Sequence, residues 1–159
     1  MYKRQTLRGT VVNAANGAGA SVQGGRFEMD GGSITSSGAA VMLSSGTGPA
    51  AVADIRNATL TSTGDVSYGI NINAKDTSAT VDNVSISALG YLGTGVWLPS
   101  TGTAFTATRF DIASSHVGID NRAGVVTLTD GTIKTLGNNA HGLYAVSYTH
   151  LTLPTNREV

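Results

Sequence analysis

The chain has 159 residues, ten basic and ten acidic side chains, three histidines and no cysteine. The even charge balance gives no electrostatic reason to expect nucleic acid or an anionic membrane as a partner. Without cysteine there are no disulfides and no thiolate metal sites. No run of 18 apolar residues suggests a transmembrane helix, and the dominance of Gly, Ser, Thr, Ala and Val favours strands and turns over helices.

The first segment, Met1 to Gln5 (MYKRQ), and the last, VSYTHLTLPTNREV (146–159), differ in character from the text between them. Both resemble translated sequencing-library adapter, the transposase mosaic end. Its reverse strand, in one frame, encodes Val-Ser-Tyr-Thr-His-Leu, which matches Val146 to Leu151. That frame requires Ser, Pro, Thr or Ala just before, and position 145 is Ala. Its forward strand, started at a GTG codon, encodes MYKRQ. Residues 1–5 and 146–159 are therefore expected to be non-native and are set aside as a fusion scar would be. That leaves 6–145, which is expected to be an internal fragment of a longer gene. Removing Lys3, Arg4, Arg157 and Glu158 leaves 10 − 3 = 7 basic and 10 − 1 = 9 acidic residues, a net charge of −2.

Within 6–145 the chain repeats itself, and periods of 20 to 50 residues signal solenoid architectures. A weak first copy, RGTVVNAANG, is centred near Val11. Its Gly-rich end, NAANGAGA (13–20), lacks the Lys-Ser/Thr and the following helix of a phosphate loop. Five clear copies follow: MDGGSITSSG, IRNATLTSTG, VDNVSISALG, ATRFDIASSH and LTDGTIKTLG. They align on Ile34, Leu60, Ile86, Ile112 and Ile133, spaced by 26, 26, 26 and 21 residues.

The aligned columns carry physical meaning. Five residues before each anchor stand Met29, Ile55, Val81, Ala107 and Leu128; two before stand Gly32, Ala58, Val84, Phe110 and Gly131. Alternation joins the second column to the anchor as in a half-buried strand, but the phase slips by one residue between the two columns. A bend is expected there, at Gly31, Asn57, Asn83, Arg109 and Asp130. Gly, Asn and Asp tolerate the left-handed conformation of a tight corner, and Arg109 is the exception. A second corner is expected at Gly38, Gly64, Gly90, His116 and Gly137. It is followed by a short apolar strand at 40–43, 68–72, 94–98, 117–119 and 141–144, with loops at 44–51 and 74–79.

Strand, corner, strand, corner, strand in each copy predicts an all-β fold. It is read as a right-handed single-stranded parallel β-helix of about five to six coils of 21–27 residues, stacked about 4.8 Å apart. One coil buries only a handful of small side chains, each worth about 1.5–3 kcal/mol. Ordering its backbone costs about 1–2 kcal/mol per residue, so stability must come from neighbouring coils.

The GGSITSSG and DGTIKTLG segments, followed by a Gly-hydrophobic strand such as AHGLYA, resemble passenger domains of pertactin-like bacterial autotransporters. The resemblance spans nearly all of 6–145. It implies a secreted or surface-displayed stalk at the outer membrane or outside the cell. It also implies a C-terminal translocator β-barrel as partner and a supporting role in adhesion to host-cell surfaces or glycans.

No catalytic, cofactor-binding or metal site is expected, and the protein is not read as an enzyme. His116 and His141 lie in different columns of successive coils without Cys or Glu, whereas a metal needs three or four convergent ligands. Asp30, Arg56 and Asp82 form an outward column, read as a charge ladder in which Arg56 pairs with a neighbour. The competing reading makes the two aspartates, two coils or about 10 Å apart, a carboxylate pair for sugar chemistry. Asp65, Asp76, Asp111 and Asp120 are scattered over different columns and suggest no site. Hydroxyls flank the anchors as Ser33/Thr35, Thr59/Thr61 and Ser85/Ser87, decaying to Asp111/Ala113 and Thr132/Lys134. They read as solvated β-surface, with an ice-binding face as the remote alternative. Tyr68, Trp97 and Tyr144 recur in the third strand and are expected to pack against core or loop rather than stack on sugars. The runner-up function is a carbohydrate-active or glycan-binding β-helix, a polysaccharide lyase, hydrolase or tailspike-like protein. An acidic and basic cluster in a groove across adjacent coils would favour it.

Overall fold

The computed structural model describes residues 3–46, 48–146 and, for the backbone alone, 151–152. The expected non-native tail, 146–159, therefore falls largely outside the described residues, as do Met1 and Tyr2 of the leading segment.

Long and short strands alternate along the chain: β1 (Arg4–Ala14), β2 (Ala20–Gln23), β3 (Gly25–Ser36), β4 (Ala39–Ser44), β5 (Ala51–Ser62), β6 (Tyr68–Ile72), β7 (Ser78–Ala88), β8 (Thr94–Leu98) and β9 (Ala104–Ser114). The rest are β10 (Val117–Asn121), β11 (Val125–Thr129), β12 (Thr132–Thr135), β13 (His141–Ala145) and β14 (Leu151–Thr152). The long strands pair in parallel in the order β1-β3-β5-β7-β9, and both β11 and β12 pair with β9. The short ones form a second parallel sheet, β2-β4-β6-β8-β10-β13. Each hydrogen-bonded neighbour is the same element of the next repeat, so the fold is an all-β parallel solenoid of about five turns.

The register follows the sequence repeat. Ile34 stands opposite Leu60, Leu60 opposite Ile86, Ile86 opposite Ile112 and Ile112 opposite Ile133. The first four are buried and Ile133, in the last coil, is partly buried. The column five residues earlier, Met29 through Leu128, is buried throughout. The weak first copy is offset by one residue from its expected centre: Val12, not Val11, faces Ile34, and Val11 is 65% exposed. Two adjacent valines leave the phase open, and the paired Gly9 and Gly31 corners fix it.

All six residues of the first corner have positive φ: Gly9 54°, Gly31 74°, Asn57 52°, Asn83 55°, Arg109 47° and Asp130 52°. This column turns the inward phase by one residue, so the two halves of each long strand point their alternate side chains into one core. Arg109 adopts the conformation despite its Cβ, imposed by the coil beneath it. Asn83 Nδ2 donates to Asn57 Oδ1 at 2.9 Å, and Asn57 Nδ2 donates to Asp30 Oδ1 at 2.8 Å. Side-chain bonds thus run along the corner parallel to the backbone ladder.

The second corner uses glycine for a different reason. Gly38, Gly64, Gly90 and Gly137 are not in the left-handed region. A Cβ on each would press into the carbonyl oxygen of Gly17, Ser37, Gly64 and Ser115 respectively. At these four positions close coil stacking, not backbone conformation, excludes a side chain, whereas the fourth coil carries His116 in this column. A third glycine series, Gly69, Gly95 and Gly118 in the short strands, lies against the Cγ2 methyls of Ile86, Ile112 and Ile133. Glycine on one wall makes room for the β-branched anchor on the other.

The expected loops are narrower than their sequence limits, because Ser44, Ala51, Ser78 and Ala79 already belong to strands. At the chain ends, Arg4 and Gln5 extend β1 opposite Arg26 and Phe27, and Leu151–Thr152 pair with Val126–Thr127.

Candidate functional site

The core is sealed by aliphatic columns, so chemistry is confined to outward side chains, and the register arranges these as a grid. On the first half of the long strands, one outward column runs Thr6, Glu28, Asp54, Thr80, Thr106 and Thr127. The next runs Arg8, Asp30, Arg56, Asp82, Thr108 and Thr129. Charges therefore gather on coils one to four, ending at Asp82, and give way to hydroxyls beyond.

These charges line a groove of about 260 Å³ whose walls include Arg8, Arg26, Glu28, Asp30, Asp54 and Arg56. One end is internally neutralised. Arg4 Nη2 lies 2.5 Å from Glu28 Oε2, Arg26 Nε 2.8 Å from Glu28 Oε1, and Arg26 Nη2 2.7 Å from Asp54 Oδ2. Hydrogen bonding from Arg4, reinforced by Arg26, holds the Glu28 carboxyl below the usual glutamate range despite some desolvation.

The expected ladder column is present, since Asp30, Arg56 and Asp82 stand in register. Its pairing differs from expectation. Asp30 accepts from Asn57, Asp82 accepts from Arg109 Nη2 at 2.6 Å, and Arg56 has no carboxylate within ion-pair distance among the described residues. The corner residues one column over have taken both aspartates. Arg8 is likewise without an ion pair among the described residues.

The short-strand sheet carries a second set of outward groups. Trp97 and Tyr68 stack with ring centroids 4.9 Å apart and planes inclined by 14°, both half-buried. They cover each other rather than present two open faces. Tyr144 is more exposed and tilts against His141 at 5.7 Å. Asp120, in register with Trp97, is buried and held by Arg122 at 3.1 Å. That hydrogen bond raises the guanidinium further above its already high range. Asn121 closes the following turn, donating to the Gly124 carbonyl at 3.0 Å and accepting its N–H at 2.8 Å.

His141 N–H donates to the His116 carbonyl at 3.0 Å, so the two histidines are neighbours through backbone alone. Among the described residues no group of three His, Asp or Glu converges as a metal site. The hydroxyl columns are in register as read, Ser33–Thr59–Ser85 and Thr35–Thr61–Ser87; the first ends at Asp111, which accepts from Thr132, and the second at Ala113.

The columns one residue either side of the anchor reveal the hydroxyl faces and the column four before it reveals Asp30, Arg56 and Asp82, but the rest of the groove lies six and eight residues before the anchor. Extending the same alignment outward brings Arg26, Glu28 and Asp54 together, which was the available signal. Comparison of the chain with protein-family models, curated proteins and solved structures gives no match. The fold and the groove therefore rest on the structure itself.

Proposed function

We propose that this chain is a segment of a structural stalk, displayed at the cell surface as part of an autotransporter-type passenger domain, and that it carries no catalytic activity. The observation that supports this reading is the unbroken coil-to-coil ladder. Each repeat contacts chiefly its neighbours, and the corner and core columns recur in every turn. Such a structure lengthens by adding turns and resists bending through its continuous sheets. A chain without cysteine also has nothing to lock it before export. Folding outside the cell would then oppose return through a translocator barrel.

The reading is tested by placing residues 6–145 between a secretion signal and a heterologous translocator barrel. The expected result is a segment reached by antibody on intact cells and resistant to limited proteolysis. Retention in the periplasm of a well-expressed fusion would count against it. A second reading, glycan binding by the outer face, is favoured by one observation: the mixed acidic and basic groove over coils one to three.

A further inference from the structure

We infer that the groove on the first three coils is a binding site for an anionic sugar chain whose acidic groups sit on alternate residues, with Arg8 and Arg56 as the two anion seats. The inference rests on the glycan-binding reading and specifies its ligand class.

Arg8, Asp30 and Arg56 occupy one outward column of three adjacent strands. Strands repeat at about 4.8 Å, so the two arginines are two steps, or about 10 Å, apart along the solenoid axis. Both are exposed and neither has an ion pair among the described residues. The other cations of the groove are engaged: Arg4 and Arg26 hold Glu28, and Arg26 also holds Asp54. A guanidinium with open donors binds a carboxylate or sulfate through two parallel hydrogen bonds.

Asp30 determines what can lie between the seats. Its Oδ1 accepts from Asn57 at 2.8 Å, leaving Oδ2 as an open acceptor with negative charge. An anionic group directly above it would be repelled, whereas a sugar hydroxyl can donate to it. The column therefore reads anion seat, hydroxyl seat, anion seat. A chain with an acid on every residue puts a charge over Asp30, and a neutral chain leaves both arginines unused. Beyond Arg56 the pattern stops, because Asp82 is taken by Arg109 and the next outward residue is Thr108.

The test is calorimetric titration of the full chain at low salt with four octasaccharide probes. One alternates glucuronate with N-acetylhexosamine, one carries sulfate on alternate neutral sugars, one is the carboxyl-reduced form of the first, and one bears a carboxylate on every residue. Binding of either alternating charged probe, weakened by salt and by about tenfold in each of Arg8→Ala and Arg56→Ala, supports the inference. The tighter of the two probes identifies the acidic group. Tm and circular dichroism of the variants confirm that these exposed changes leave the fold intact. Equal binding of the carboxyl-reduced probe overturns the anion seats while leaving glycan binding in place. Tighter binding of the fully carboxylated probe, or of an oligothymidylate control, overturns the alternating pattern. Failure of all four removes the inference and the glycan-binding reading together, and leaves the stalk reading untouched.

Discussion

The corner residue Arg109 shows how a repeat overrides a local preference. Its φ of 47° lies where a β-carbon costs about 1–2 kcal/mol. Its exposed pair with Asp82 returns at most about 1 kcal/mol. Asparagine at this corner would tolerate the same φ and could continue the Asn57–Asn83 side-chain ladder. Arg109→Asn should therefore raise Tm by a few degrees, whereas Arg109→Ala should lower it, since alanine keeps the strain and loses the pair. Thermal melts of both variants decide between this account and one in which the ion pair dominates. Gly90 tests the other corner. Its backbone lies outside the left-handed region, so alanine would ordinarily stabilise by about 0.4–1 kcal/mol through the unfolded chain. Here the added Cβ meets the Gly64 carbonyl oxygen. Gly90→Ala is expected to destabilise by more than about 1 kcal/mol in denaturant melts, and a gain would mean that the coils stand further apart at that corner.

At the scale of the coil, the stacked anchor column is the main apolar contact between turns. Leu60 is buried with a coil on either side, while Ile133 is only partly buried at the end of the ladder. Leu60→Ala should cost about 2–5 kcal/mol, since neighbours above and below hold the cavity open. Ile133→Ala should cost clearly less; chemical denaturation of the pair checks the ranking, and equal costs would argue against nearest-neighbour stacking. This column was legible in the sequence because its spacing repeats and its residues are apolar. The positive-φ corner was legible for the same reason, through Asn and Gly. The pairing of the groove was not. Whether Asp30 joins Arg56 or Asn57 depends on side-chain reach between coils at a bend, which composition does not encode. Nor could the sequence distinguish the two uses of glycine, conformational at Gly31 and steric at Gly64, since both appear as the same letter.

For the whole molecule, a solenoid has no single centre, and its stability is a sum of coils and the interfaces between them. The coils built on β3, β5, β7 and β9 have a partner on each side in both sheets, and β5 and β7 lie furthest from either end, while the end coils have fewer partners. Amide exchange should be slowest in β5 and β7 and should quicken toward β1 and β13. A flat protection profile would indicate one all-or-none unit instead. The two ends should also respond differently to acid. Glu28 is held below its ordinary pKa chiefly by Arg4, whose pair ties β1 to β3, and also by Arg26 within β3. A depressed carboxyl contributes stability that is present above the ordinary glutamate range and is lost as pH falls through the lowered value. Acidification through that window should loosen β1 against β3 before the inner coils respond, once intrinsic exchange rates are divided out. Glu28→Gln should abolish the pH dependence of β1 protection while leaving β13 unchanged. If β1 and β13 instead lose protection together in the wild-type chain, the ion pairs are not what anchors the first coil, and its stability comes from the Leu7 and Val12 side of the strand.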